Sequence, residues 1–504
     1  MKYTVLDYLE ATAQSFPDKI AFADVKTSVT WNELVQQSKA YSTVIAAHYA
    51  PGTAVPVMIE KSVETVIWFF AVLYAGCFYS YIDATFPDSR LNSMLETLGT
   101  KTVLAQERYA KKLTALGCTP VFTTQAATAS ESQPDADRRL AVIDTDPVYA
   151  NFTSGSTGTP KAVVVSHHSV IDFITCFTEL FGITNEDVFA NQAPFDFDVS
   201  VKDIFSAVFT GATVHLVPKM FFSFPTKLLD FLEERQITTL VWAVSALCLV
   251  TTFDGFSYKV PSKIRKVMFS GEVMPPRHLK IWQEHYPQAE FINLYGPTEI
   301  TCNCTYYRIK GTVEEGTDIP MGIPFPNERV FLLDEDDHLV SQPDAVGEVC
   351  VSGTCVAIGY YSNGERTQSV FTQNPLETRR YERIYRTGDL ATLGSDGLFY
   401  YRGRKDTQIK HMGHRIELSE IEGAMMTLEG VKRACCVFVN AKIESFYVAD
   451  AELTKKDFSA ALKKTLPEYM VPTSFTRLES LPLNKNGKID RHALEALAEE
   501  ETHA

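Results

Sequence analysis

The chain has 504 residues, 45% of them apolar and 22% charged, enough to build a large core and to divide into more than one domain. A formal net charge of -15 argues against broad binding to nucleic acid or anionic membranes, while leaving room for a small anion in a locally basic cleft. The N-terminus lacks an apolar signal core, and the ten cysteines show no Cys-x-x-Cys spacing, so the thiols read as reduced and the protein as cytoplasmic.

In chain order, residues 1–50 read as helices around a short hairpin whose turn lies at 24–28. The most membrane-like run, 66–82, contains Gly76 and Ser80 and ends on Asp83. It is too short for a comfortable span and reads as a buried helix followed by a strand, with no membrane insertion. Strands at 53–59 and 79–83 alternate with helices at 61–74 and 87–98, the rhythm of βαβ units and a parallel sheet. Residues 123–139 hold few large apolar side chains and are expected to form an exposed loop. Helices at 169–181 and 201–209 and strands at 214–217, 239–242 and 266–269 carry the alternation to about residue 300.

Beyond 305 the texture changes. Short β-like runs at 330–333, 347–352 and 398–401, rich in Gly, Asp and Pro, predict a smaller β-rich portion. The last hundred residues read as a compact α+β unit: a helix at 416–428, a strand at 433–439 and a helix at 455–466. The expected division is a domain of residues 1–405 and a domain of residues 406–504, joined in the charged stretch 403–410. The fold class is therefore α/β, with a large N-terminal domain of βα-layered subdomains plus a β-rich portion and a small α+β C-terminal domain, which the family resemblance described below implies to be mobile.

One stretch stands out chemically. Thr153, Ser154, Gly155, Ser156, Thr157, Gly158 and Lys161 lie between two apolar, strand-like runs. Glycines let backbone N–H groups approach an anion, and hydroxyls and an ammonium add donors, as a triphosphate cradle requires. Pro160 precedes the lysine, so the usual Gly-Lys-Ser/Thr phosphate loop is absent. Alone, the stretch also fits a Ser/Thr-rich surface turn.

Seven stretches together, in order, resemble the adenylate-forming enzymes, the superfamily of acyl-CoA synthetases, luciferases and nonribosomal-peptide adenylation domains. They are Leu-Tyr-Ala-Gly at 73–76 with Tyr-Ile-Asp at 81–83; residues 153–161; Phe-Asp-Val-Ser at 197–200; and Asn-Leu-Tyr-Gly-Pro-Thr-Glu at 293–299. The others are residues 347–360; Tyr-Arg-Thr-Gly-Asp at 385–389; and 403–417 with Asn-Gly-Lys-Ile-Asp-Arg at 486–491. The matches span essentially the whole chain. The wording at 197–200 and 408–417 resembles the amino-acid-activating branch. Phe-Ser-Gly-Glu-Val-Met-Pro at 269–275 is most similar to free-standing D-alanine–carrier-protein ligases of teichoic acid D-alanylation.

The resemblance implies ATP-dependent formation of an aminoacyl adenylate, with Mg²⁺, and transfer to the phosphopantetheine thiol of a carrier protein. No Gly-x-Ser attachment site follows Lys488, so that carrier is expected to be separate. Lys488 is implied as the catalytic lysine bridging carboxylate and α-phosphate, with Lys161 as a helper. Asp389 is suited to the ribose hydroxyls. Arg404 assists it. Asn293, Leu294, Tyr295, Gly296, Pro297, Thr298 and Tyr401 complete the ATP site, and Glu299 is the Mg²⁺ carboxylate. Asp406 marks the hinge about which the C-terminal domain would present Lys488 first and the 410–417 face second. Relatives usually carry Lys-x-Arg-Gly-His-Arg there; this chain has Met412 in place of that arginine.

Asp198 decides the substrate class. A carboxylate in a pocket is expensive unless paired, and the α-ammonium of an amino acid is its natural partner. The alternative is a helix N-cap, with Ser200 sharing the role. Val199, Lys202, Val241, Met268, Ser270, Leu294, Cys302 and Asn303 form the implied pocket wall. In D-alanine ligases the position of Lys202 is apolar and that of Ser270 is commonly cysteine. Lys202 either snorkels outward or pairs with a polar group on a larger substrate side chain. Three functions compete: a D-alanyl-type or other amino-acid:carrier ligase, including one for a polar or acidic amino acid; an acyl- or aryl-CoA synthetase; and a non-catalytic nucleotide-binding protein.

Overall fold

The computed structural model describes residues 3–128, 138–155, 159–450, 453–483 and 489–503. They divide into two compact units: Met1–Asp83, Thr100–Asn151 and Val163–Lys405 make the larger, and Ala84–Gly99, Phe152–Ala162 and Asp406–Ala504 the smaller.

The larger unit is the α/β part. Its nine-stranded sheet runs parallel through Val188–Asn191, Thr213–Leu216, Thr239–Ala243, Lys266–Ser270 and Glu290–Tyr295. Thr305–Arg308 and Ile323–Pro324 then add antiparallel edge strands, so this sheet continues beyond the point where the βα rhythm ends in sequence. A seven-stranded sheet includes the parallel strands Ala54–Met58, Phe78–Tyr81, Thr102–Ala105 and Thr119–Phe122. The β-rich portion is an antiparallel five-stranded sheet centred on Val346–Gly353 and Arg383–Leu393.

The run suspected of membrane character forms the helix Val63–Tyr74, started by Ser62, whose hydroxyl accepts from the Thr65 N–H. Almost all its side chains are buried, and Phe78–Tyr81 follows as a buried strand. Among the described residues no helix is long and apolar enough to cross a membrane. All ten cysteines are unpaired and most are buried, where they act as small apolar side chains.

Some expectations change. The loop predicted over 123–139 begins as a 3-10 helix, Thr123–Thr128; residues 129–137 lie outside the described part. The helix predicted to start at Ile416 starts at Leu418, because Ile416 and Glu417 pair with Ile409 and Gln408 in a hairpin. Its two-residue turn, Met412 and Gly413, has positive φ at both positions (52° and 81°), the left-handed geometry that matches strand twist. The smaller unit also contains Lys442–Ala449, paired with Val431–Val439 and with Ser474–Arg477. The hairpin turn before it uses Asn440 and Ala441, again at positive φ, so no glycine announces it in sequence.

Candidate active site

Ser270, Asn293, Leu294 and Tyr295 lie at or near the carboxyl ends of the parallel strands Lys266–Ser270 and Glu290–Tyr295, the usual place for a ligand in such sheets. Register explains which residues share a face. Val241 pairs with Met268 and Met268 with Ile292, while Ala243 pairs with Ser270. Side chains two apart point the same way, so Val241, Met268, Ser270 and Leu294 line one face. Asn293, paired with Phe269, belongs to the other, and its side-chain amide donates to the Pro320 carbonyl at 2.7 Å. The pleat thus separates the expected substrate residues from a residue expected to frame adenine.

After Tyr295 the chain turns sharply and folds back on itself. A Cβ at Gly296 would lie 2.5 Å from Asn303 Cα and 2.7 Å from the Cys302 carbonyl oxygen, so only glycine fits. Pro297 leads into the short 3-10 helix Thr298–Ile300. Thr301 and Cys302 follow at φ 53° and 77°, a conformation costly for side chains with a Cβ. Hydrogen bonds hold them there: Thr301 Oγ1 donates to the Cys355 carbonyl at 2.7 Å, the Cys302 thiol donates to the Asp198 carbonyl at 3.3 Å, and Cys304 N–H donates to the Tyr295 carbonyl at 2.8 Å. Burial pushes the Cys302 thiol well above its ordinary value, with Asp198 adding to the rise, so it remains a neutral donor. Glu299 is fully buried, and the Tyr360 hydroxyl donates to its Oε1 at 2.7 Å.

Asp389 lies on Arg383–Leu393, opposite Arg404 on Phe399–Arg404, with Tyr401 on the latter strand opposite Ala391. The Tyr295 hydroxyl donates to Asp389 Oδ2 at 2.5 Å, and the Arg404 guanidinium bonds Oδ1. Burial, reinforced by Asp389, keeps the Tyr295 phenol protonated by raising its pKa well above normal.

Asp198 directly precedes the helix Val199–Thr210 and is 6% exposed. Asp198 holds the N-cap position, but its side chain makes no capping hydrogen bond, and the Ser200 hydroxyl donates to the Phe197 carbonyl at 2.9 Å, so neither side chain caps the helix. Lys202, one helical turn later, is 0% exposed and does not snorkel. Its ammonium donates to Asn303 Oδ1 at 2.7 Å and to Ser270 Oγ at 3.1 Å. Burial lowers its pKa, while Cys302, Asp198 and Asp203 pull it back up. Val199 is buried beside them.

A second lysine was not singled out by its sequence. The Lys61 ammonium donates to the carbonyls of Asn191, Gln192 and Ala193 at 2.9, 3.1 and 2.9 Å. Three acceptors use all three ammonium hydrogens, one more than a neutral amine carries, so this geometry favours the charged form against the downward pull of burial. Asn191 in turn donates to Asp203 Oδ2 at 2.7 Å, on the helix that carries Lys202. Lys61 thereby fixes the segment leading to Asp198. Nothing around it in sequence marks that job, because its partners are backbone atoms about 130 residues away.

In the smaller unit, Ser154 Oγ donates to the Arg415 carbonyl at 2.7 Å, and Lys161 is buried near Glu420. Glu420 pairs with Arg90 at 2.7 Å, both side chains being buried. Thr153 is buried and Gly155 is described; Ser156, Thr157, Gly158 and Lys488 lie outside the described residues. Asp406 is exposed, and its Oδ1 accepts from the Gln408 N–H at 3.2 Å.

A buried carboxylate tied to an arginine and a tyrosine, together with polar side chains at the ends of parallel strands, suits an α/β enzyme that binds a polar small ligand. Residues 9–361 match the AMP-binding enzyme family, and the chain belongs to that family. It is 32% identical over 497 residues to zwittermicin A synthase ZmaJ of Bacillus cereus, covering 95% of this chain and 92% of that one. It is 34% identical over 496 residues to tyrocidine synthase 3 of Brevibacillus parabrevis, where it spans 96% of its own length but 7% of that much longer chain. The structure of holo-PA1221, an NRPS protein containing adenylation and PCP domains bound to a vinylsulfonamide inhibitor, superposes with a TM-score of 0.84. That match has 27% identity and covers 98% of this chain and 84% of the other. The enzyme class that goes with this membership is an AMP-forming acid–thiol ligase.

Proposed function

We propose that the protein activates an α-amino acid with ATP as an aminoacyl adenylate and passes it to the phosphopantetheine thiol of a carrier protein, in the cytoplasm. Asp198 carries this reading: a carboxylate buried at the head of a helix that its side chain does not cap suits an α-ammonium. The likeness to a structure containing adenylation and PCP domains supports a carrier partner.

The substrate carboxylate oxygen attacks the α-phosphorus of ATP, and the bond to the β-phosphate oxygen breaks to release pyrophosphate. The carrier thiol then loses its proton, its sulfur attacks the acyl carbon, and the carbon–oxygen bond to AMP breaks. Catalysis here is positioning and charge stabilisation. Asp389 receives the ribose hydroxyls; a carboxylate offers about four lone-pair sites, and Tyr295 and Arg404 occupy two. Asn293, Leu294, Tyr295, Gly296, Pro297 and Tyr401 frame adenine and Thr298 the α-phosphate. Residues 153–161 hold the outer phosphates, and Lys488 bridges the reacting groups. Glu299, a fully buried carboxylate, would hold Mg²⁺ together with the nucleotide phosphates. There Mg²⁺ supplies charge neutralisation at the phosphates.

Amino-acid-dependent ATP–pyrophosphate exchange tests the reading. Exchange is expected with an α-amino acid and not with its des-amino analogue; equal rates with the two would overturn it. A second reading, a D-alanine–carrier ligase, draws support from residues 269–275 and predicts that D-alanine is the best substrate.

A further inference from the structure

Asn191 closes the strand Val188–Asn191, and Asp203 lies in the second turn of the helix Val199–Thr210, with Asp198 between them at the helix head. Both side chains are fully buried, and Asn191 Nδ2 donates to Asp203 Oδ2 at 2.7 Å. The two remaining oxygens of that pair, Asn191 Oδ1 and Asp203 Oδ1, are buried and accept from nothing among the described residues. Buried acceptors left bare are costly. Lys61 does not serve them, because its three ammonium hydrogens go to the carbonyls of Asn191, Gln192 and Ala193. The Ser206 hydroxyl, one turn further along the helix, bonds nothing.

One proton resolves both. A carboxylic acid has an O–H donor that a carboxylate lacks. Facing a primary amide, it closes a ring of two hydrogen bonds: N–H to one carboxyl oxygen, and O–H back to the amide oxygen. The first is present, and the second needs only the proton. Burial agrees, raising the Asp203 pKa to about 7 against the pull of the Asn191 bond and of the Lys202 and Lys61 charges. The titratable groups on the elements packed against this helix are engaged elsewhere. Asp187, beside Val188–Asn191, answers to Lys266, and His215 to Arg235. Asp7 and Glu10 of the helix Val5–Ser15 pair with Arg139, and His167 of His167–Leu180 accepts from the Val5 N–H.

We infer that Asp203 works as a protonated acid, locked to Asn191 by two hydrogen bonds, and is a positioning residue that holds the segment from Asn191 to Asp198 for amino-acid binding. This rests on the proposed role of Asp198 toward the α-ammonium. When the proton leaves, two bare oxygens remain and the tie between strand end and helix weakens, while the Tyr295–Asp389 pair is untouched.

The test is the pH dependence of ATP–pyrophosphate exchange in the wild type, Asp203→Asn and Asp203→Leu. In the wild type the amino-acid KM is expected to rise about 10-fold as pH climbs through about 7, what the loss of one hydrogen bond amounts to, with the KM for ATP moving less. Asp203→Asn keeps a ring of two hydrogen bonds, amide to amide, and is expected to hold the low-pH KM throughout. Asp203→Leu has neither bond and is expected to show the high KM throughout. A flat wild-type profile overturns the inference without any variant having to fold. So does an Asp203→Asn variant as poor as Asp203→Leu, or one that keeps the wild-type slope. Denaturant unfolding reads the same proton without substrate. The folded-state pKa lies above the ordinary value of 3.8, so wild-type stability is expected to fall relative to Asp203→Asn as pH rises from there to about 7, then to level off. Equal slopes overturn the acid form whatever exchange shows. Exchange that ignores the α-amino group overturns the adenylation reading while that slope remains.

Discussion

Two buried charges in the larger unit are handled in opposite ways. Asp389 is closed on itself: Arg404 supplies the counter-charge and Tyr295 a second donor, all from within the fold. Lys202 is equally buried, yet hydroxyl and amide oxygens hold it. A carboxylate compensated by the protein stays ready for a partner that every turnover shares, such as the ribose of ATP. The hydrogen-bond partners of Lys202 are neutral, and the charges of Asp198 and, once it ionises, Asp203 act on it without a direct ion pair. On the proposed function, Asp389 would serve the nucleotide common to every turnover and Lys202 would lie with the residues facing the amino acid.

That contrast can be broken experimentally. Asp389→Ala leaves the Arg404 guanidinium without its partner and is expected to cost about 3–5 kcal/mol of stability. It should also raise the KM for ATP whichever amino acid is used; denaturant unfolding and exchange kinetics measure the two effects, and an unchanged ATP KM would remove Asp389 from the nucleotide site. Lys488→Ala separates the chemistry from both clusters. Adenylation is expected to fall about 10²–10³-fold, with transfer from preformed adenylate reduced less. Equal loss in the two half-reactions would count against separate roles for the C-terminal region. Gly296→Ala probes the backbone that links the two regions. The added Cβ, 2.5 Å from Asn303 Cα, is expected to cost about 1–3 kcal/mol and to raise the amino-acid KM by moving Asn303. A variant as stable and as selective as the wild type would show that the fold-back is not needed.

Much of the architecture was legible beforehand. Alternating strand and helix patterns predict the parallel sheet, and the family resemblance carried by the stretches at 293–299 and 385–389 implies one nucleotide site for Asn293, Tyr295 and Asp389, of which Tyr295 and Asp389 are in direct contact. Strands escaped where turn signals were weak, as at Asn440–Ala441, and a helix start shifted where Ile416 and Glu417 found strand partners. Lys61 and Tyr360 went unnoticed because one acts on distant backbone carbonyls and the other is an ordinary buried tyrosine until Glu299 is beside it.

By itself the sequence determined the family, the α/β class and the place of Asp198 at the head of a helix, because these depend on local pattern and short motifs. The state of Lys202 belongs to the tertiary structure. Helical spacing placed it one turn from Asp198, but whether its tip reached water or stayed inside depended on Ser270 and Asn303, 68 and 101 residues away. Long-range contacts of that kind leave no periodicity to read, and they hold as a fully buried charge a lysine whose spacing alone also fits a snorkelling side chain.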